Sequence, residues 1–112
     1  MKFHVLAGLT LAGFVATTAG ALAGPTLDRV TKAGELVNVV DNSYPPFSYI
    51  NENNEVVGFD IDVAKAVADR LGVKLRIETP GWETIVGGRW QGRWDICICS
   101  MTPTDQRAQV LD

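Results

Sequence analysis

The sequence predicts an α/β fold in which a mainly parallel sheet is flanked by helices. Residues 35–40, ELVNVV, are β-branched and apolar enough to form a buried strand. Residues 60–72, DIDVAKAVADRLG, carry apolar residues at helical spacing, and residues 73–78, VKLRIE, alternate as a strand does. Because strands that alternate with helices form βαβ units, we expect these strands to lie parallel in one sheet.

The segment after the first strand predicts a hairpin. Two prolines in YPPF exclude a helix there and favour extended backbone. In FSYINENNEVVGF the turn formers NENN separate two β-prone runs. Residues 47–59 should therefore form a solvent-facing flap.

The helix over residues 60–72 has recognisable ends. Asp60 can serve as its N-cap, and Gly72 stands where a glycine ends a helix. Its apolar residues are Ile61, Ala64, Ala68 and Leu71. Farther on, WETIVGGRW indicates a weaker helix, and residues 94–99, WDICIC, indicate an apolar strand. Trp90 and Trp94 are expected in the core.

The two cysteines, Cys97 and Cys99, are two residues apart and so fall on one face of the predicted strand. They do not match the Cys-x-x-Cys spacing, and they are badly placed to bond each other. We expect both to be small packing residues, and we expect neither a disulfide framework nor a zinc site.

The N-terminus has the layout of a secretory signal peptide. Basic Lys2 precedes an apolar stretch that is too short to span a bilayer, and Ala21-Leu22-Ala23 resembles a cleavage site before Gly24. We expect residues 1–23 to be removed on export, which predicts a periplasmic protein whose mature chain begins near Gly24.

Charge and histidine content exclude several function classes. Residues 24–112 carry nine Lys and Arg against thirteen Asp and Glu, a formal net charge of −4. A mildly acidic chain with scattered basic residues is a poor nucleic-acid binder. The single histidine, His4, lies in the predicted signal peptide, so a Ser/His/Asp triad or a His-ligated metal site is not expected. No cofactor is predicted.

Polar residues follow three of the predicted strands. In parallel sheets ligands bind beyond the carboxyl ends of the strands. The segments that should converge there are 41–47, 80–83 and 99–107. The last of them places hydroxyls and an arginine at a strand end.

The run VDNSYPPFSYINENNEVVGFDIDVAKAVADRLGVKL and the later WETIVGGRWQGRWDICICSMTPTDQR resemble the N-terminal lobe of the family 3 extracellular solute-binding proteins. These are the periplasmic components of polar amino-acid ABC transporters. The resemblance implies a type II periplasmic-binding-protein lobe, an amino-acid ligand, a membrane-embedded ABC permease as partner, and a monomer when full length.

Carried over by position, the resemblance implies that Arg107 holds the ligand's α-carboxylate, assisted by Thr102 and by main-chain groups near Ser100. Thr104 would N-cap a short helix that contains Arg107. The alternative is a solvated arginine in the first turn of that helix.

Three further residues of the resemblance concern the ligand's side chain. Tyr44 and Trp82 would enclose it between aromatic faces, although either ring could be ordinary core. Asp41 would meet a nitrogen of that side chain, which favours basic or amide-bearing amino acids. As an alternative, Asp41 forms the turn with Asn42 and Ser43.

In the family a second lobe completes the site, and the ligand is held between two lobes that close about a hinge. We expect residues 24–112 to hold half of such a site, to bind amino acids very weakly alone, and to associate or partly unfold. Two other functions stay open on this scaffold: a cyclohexadienyl or arogenate dehydratase, and the ligand-binding domain of a sensor.

Overall fold

The computed structural model describes residues 23–112. The signal peptide predicted over residues 1–23 lies outside them, apart from Ala23. In chain order the helices and strands are α1 Pro25–Ala33, β1 Glu35–Val39, β2 Ser43–Tyr44, β3 Ser48–Ile50, β4 Val56–Val57, α2 Phe59–Leu71, β5 Lys74–Glu78, α3 Trp82–Val86 and α4 Asp105–Ala108.

The parallel pair of β1 and β5 is the centre of the fold. The two strands are in register from Glu35 opposite Lys74 to Val39 opposite Glu78.

Strand β1 is buried on both faces. Val37 and Val39 pack with Ile85 and Trp94 on one face, and Leu36 packs with Val30 and Ala68 on the other. This arrangement confirms the predicted α/β fold and the predicted core positions of Trp94 and of Trp90, which packs on it.

Residues 94–99 are not a strand, which corrects the prediction. They meet β1 through a single parallel bridge between Asn38 and Ile96. The Asp95 carboxylate accepts from the Val37 N–H at 2.8 Å, and the Asn38 side chain bonds both Ile98 N, at 2.7 Å, and Ile98 O, at 3.3 Å. Backbone hydrogen bonds join β1 to this segment only at residues 95 and 96. Beyond them, side chains take hydrogen bonds that backbone groups would exchange in a regular ladder.

A disulfide joins Cys97 and Cys99, so the prediction that they stay unbonded is wrong. The prediction assumed a regular strand, in which residues two apart lie about 6.6 Å from each other. Here the Cα atoms are 5.2 Å apart, because the segment is irregular. The packing role is confirmed: Cys99 is buried with Val40 and Ile61.

Helix α2 confirms the predicted helix and corrects its beginning. Ile61, Ala64 and Ala68 are buried, and Gly72 ends the helix with φ 69°, although Leu71 is exposed. The N-cap is Gly58, not Asp60. Asp60 lies in the first turn, and its side chain is buried.

Helix α1 is an element that the sequence reading omitted. Pro25 occupies its first turn and Gly34 ends it in the left-handed conformation. Proline at the start and glycine just past the end are typical helix boundaries. Arg29 of this helix forms an ion pair at 2.9 Å with Asp95, which ties α1 to the irregular segment.

The predicted hairpin is present and has an additional strand. Strands β2, β3 and β4 form an antiparallel sheet with β3 in the middle. Asn51 closes the turn by accepting from Asn53 N and Glu55 N, each at 2.9 Å. The hairpin faces solvent mainly at this turn, since Ser48 is fully buried and Val56 packs on the cluster that contains Val40.

Residues 23–112 contain neither a membrane-spanning helix nor a cluster of metal ligands. No helix in that range is long and apolar enough to cross a bilayer. The same range holds no group of three or more His, Cys, Asp or Glu residues placed to bind a metal ion.

Candidate functional site

Three polar segments follow the carboxyl ends of the central β-structure. Since β1 and β5 are parallel, residues 41–47 and 80–83 leave the sheet at the same edge. Residues 99–107 follow Ile98, which the side chain of Asn38 holds beside β1. The topology therefore places the three predicted segments at one edge, where parallel sheets bind ligands.

Arg107 is held by contacts from two of these segments. Its guanidinium donates to the Thr102 carbonyl at 2.7 Å and lies 5.5 Å from the centre of the Trp82 ring. The Thr104 hydroxyl accepts from Arg107 N at 3.2 Å, which confirms the predicted N-cap of α4. These contacts restrict a long side chain and so reduce the entropy that it would lose when it binds a ligand.

The charge of Arg107 has no carboxylate partner within residues 23–112. In that range the ion pairs are formed by Arg29 and Arg76, both at other positions of the fold. Arg107 is half-buried, and one of its five N–H donors is used by Thr102. A restrained guanidinium with free donors can take a carboxylate through two parallel hydrogen bonds.

Ser100 has an unusual backbone conformation and a buried partner. Its φ is 48°, in the left-handed region that residues other than glycine rarely adopt. The Ser100 hydroxyl donates to the Asp60 carboxylate at 2.7 Å. Sequence reasoning assigned Asp60 to helix capping and so missed this contact, which no local pattern signals because the two residues are 40 positions apart.

Asp41 and Tyr44 lie on the neighbouring segment and contact residues of that segment. The Asp41 carboxylate accepts from Ser43 N at 3.0 Å, which is the turn-forming role left open by the sequence. The Tyr44 ring is 42% exposed and lies 5.0 Å from Phe47, not against Trp82. The structure therefore brings Trp82, Thr102 and Arg107 together, and it places Asp41 and Tyr44 at the same edge.

Two cavities border Arg107. One, of about 550 Å³, lies between α3 and α4 and is lined by Trp82, Glu83 and Arg107. The other, of about 770 Å³, is lined by Trp90, Trp94 and Met101 on the side of the irregular segment. Neither includes Asp41 or Tyr44. We place the candidate site at the first cavity, because it contains the aromatic face and the free guanidinium donors together.

Comparison with known sequences relates the chain to one family. The model of that family, described as bacterial extracellular solute-binding proteins, family 3, matches residues 36–112. A probable amino-acid ABC transporter-binding protein of Haemophilus influenzae is 28% identical over 107 residues, or 96% of this chain and 42% of the relative. Cyclohexadienyl dehydratase of Pseudomonas aeruginosa is 28% identical over 99 residues, or 88% of this chain and 37% of the enzyme. The chain thus spans less than half the length of these relatives.

Solved structures of two similar proteins each match about three quarters of the chain. An ancestral cationic amino acid solute-binding protein is 40% identical with a TM-score of 0.71, and the match covers 75% of this chain and 37% of that one. The arginine-bound form of domain 1 from TmArgBP is 34% identical with a TM-score of 0.69, and the match covers 73% of this chain and 65% of that domain.

Proposed function

The chain belongs to family 3 of the bacterial extracellular solute-binding proteins and has the type II periplasmic-binding-protein lobe fold, and from this premise we propose that it binds a polar amino acid in the periplasm for delivery to a membrane-embedded ABC permease. The binding role rests on Arg107, which is restrained against Trp82 and has no carboxylate partner within residues 23–112. An α-carboxylate offers the two oxygens that this guanidinium can accommodate.

The proposed ligand class is the cationic or amide-bearing amino acids. Trp82 offers a ring face at the cavity, and the exposed ring of Tyr44 lies at the same sheet edge. Arg107 lies over one face of Trp82, so the other face of that ring and the Tyr44 ring are the surfaces that can receive a cationic side chain. Such cation–π contact contributes about 1 kcal/mol at exposed sites and more when water is excluded. Two of the similar structures, an ancestral cationic amino acid binder and an arginine-bound domain, support this choice.

Titration calorimetry tests the proposed function directly. The purified gene product should bind at least one of L-arginine, L-lysine, L-histidine and L-glutamine, and it should not bind L-leucine. The dehydratase relative makes an enzyme the second candidate. Incubation with prephenate distinguishes the two, because formation of phenylpyruvate would contradict a purely transporting role.

Asp41→Asn should change the order of affinities within that panel. The substitution removes a negative charge near the proposed position of the ligand's side chain, so arginine and lysine should lose about tenfold relative to glutamine. Asp62→Asn is the matched control, because Asp62 is an exposed carboxylate in the first turn of α2. The proposal for Asp41 is wrong if both variants keep the parental order.

The arginine-bound domain 1 also bears on the expectation of very weak binding by residues 24–112. In that relative a first domain by itself holds arginine in a crystal. Residues of one lobe can therefore contact the ligand in this family, as Arg107 and Trp82 are proposed to do. The expectation of weak binding stays a prediction for this chain, to be measured in the same titrations.

A further inference from the structure

Asp60 lies where two segments of the candidate site meet. The backbone N–H groups of Phe59 and Asp60 donate to the carbonyls of Pro46 and Phe47, at 3.1 and 2.9 Å. The Asp60 carboxylate accepts from the Ser100 hydroxyl at 2.7 Å. The first turn of α2 is therefore bonded to residues 41–47 through its backbone and to residues 99–107 through one side chain.

Helix capping does not explain the burial of Asp60. The residue is 3% exposed, and Gly58 rather than Asp60 is the N-cap of α2. The second carboxylate oxygen is buried and has no hydrogen-bond partner within the described residues. A buried oxygen without a hydrogen-bond partner lowers the free energy of unfolding. An apolar side chain at this position, like that of Ile61 beside it, would not carry this cost. The burial of this side chain therefore points to its hydrogen bond with Ser100 and not to capping.

The partner of Asp60 is the residue at which the chain turns toward Arg107. Ser100 has φ 48°, a conformation that residues other than glycine adopt infrequently and at a cost in free energy. Met101, the next residue, packs against the clusters of Val37 and of Val40. Thr102 then holds the guanidinium of Arg107. A change in the backbone conformation of Ser100 would therefore shift Thr102, two residues later, and with it the guanidinium of Arg107.

We propose that Asp60 is a positioning residue for ligand binding: its hydrogen bond holds Ser100 in the left-handed conformation and thereby orients Thr102 and Arg107. This proposal rests on the proposed function, because it assigns Asp60 to the site that takes the α-carboxylate. Asp60 does not touch the ligand. The hydrogen bond requires only an acceptor oxygen, so Asn is expected to replace Asp at this position.

Hydrogen exchange tests the positioning without any ligand. In the gene product, Asp60→Ala should increase amide exchange in residues 100–107 by about tenfold or more, while exchange in β1 and β5 stays close to the parental rates. Asp60→Asn should leave exchange in residues 100–107 near the parental rates. Asp62→Ala is the control, because its carboxylate is exposed on the same helical turn.

Binding measurements test the link to the ligand. Asp60→Ala should weaken binding of an amino acid about tenfold or more and should weaken binding of its α-carboxamide less, so the preference for the carboxylate falls. Loss of general stability would lower both affinities together. Ser100→Ala should reproduce the effect, and Asp60→Ala should add little to it, because both substitutions remove the same hydrogen bond.

Two results overturn the proposal. One is that amides 100–107 of Asp60→Ala exchange at the parental rates. The other is that Asp60→Ala raises exchange equally throughout the chain. If the gene product binds no amino acid, the proposed function fails, and the exchange experiment still decides whether Asp60 positions the segment that carries Arg107.

Discussion

Arg107→Ala should weaken amino-acid binding by roughly 30-fold to several thousandfold, measured by titration calorimetry on the gene product. The substitution leaves the ligand's carboxylate with hydroxyl and main-chain donors only. Truncating one partner of a desolvated charge pair typically costs about 2–5 kcal/mol, which corresponds to this range of affinity. Arg107→Lys should recover little, because an ammonium group cannot form the two parallel hydrogen bonds of a guanidinium.

Arg93→Ala is the matched control for Arg107→Ala. The Arg93 guanidinium lies 4.5 Å from the centre of the Trp94 ring and donates to the Trp90 carbonyl at 3.2 Å. It therefore shares the ring contact and the carbonyl contact of Arg107 but lines neither cavity. Parental affinity in Arg93→Ala with a large loss in Arg107→Ala would support the assignment. Equal affinities in the two variants would remove Arg107 from the proposed site.

The elements that could be predicted are those whose residues carry a local pattern. Strands β1 and β5 and helix α2 follow the apolar periodicity of their own residues, and Gly72 ends α2 as expected. The convergence of the three polar segments followed from the parallel arrangement of β1 and β5, since parallel strands end at the same edge. The N-capping role of Thr104 was predictable from a local pattern, because an N-cap bonds a residue only three positions away.

The features that were missed depend on contacts between residues distant in sequence. Asn38 and Asp95 bond backbone groups about 60 positions away, and the backbone pairing that residues 94–99 were expected to form is limited to residues 95 and 96. Once the strand is lost, Cys97 and Cys99 lie close enough to bond. The apolar periodicity of a segment does not indicate which of its backbone groups will bond to side chains that are distant in sequence.

The candidate site shows the same division. The resemblance assigned Arg107 and Thr102 to the ligand's carboxylate, and the structure places them in direct contact. Which aromatic ring meets which group was not deducible, and Trp82 faces Arg107 while Tyr44 contacts Phe47. Asp60 looked like an ordinary cap because its sequence neighbours form the start of a helix, and only the folded chain brings it to Ser100.

Gly58→Ala should lower the free energy of unfolding by about 2–6 kcal/mol, a large part of the 5–15 kcal/mol typical of a small domain. Gly58 has φ 131° and ψ −179°, a conformation that only glycine adopts readily. An added Cβ would lie 2.3 Å from the Phe47 carbonyl oxygen, which accepts the first-turn hydrogen bond of Asp60. The side chain would therefore strain the backbone and push away a carbonyl that anchors α2.

Urea unfolding followed by circular dichroism measures the effect, and Gly72→Ala separates its two causes. Gly72 also has positive φ, 69°, but an added Cβ there meets no atom within 4 Å. Gly72→Ala should lower the free energy of unfolding only by the energy that alanine needs to adopt the left-handed conformation, about 1–2 kcal/mol. Gly58→Ala should therefore unfold at a clearly lower urea concentration than Gly72→Ala, or fail to fold. Unfolding of the two variants at the same concentration would mean that the contact with Phe47 does not constrain Gly58 and that α2 is anchored to residues 41–47 by other contacts.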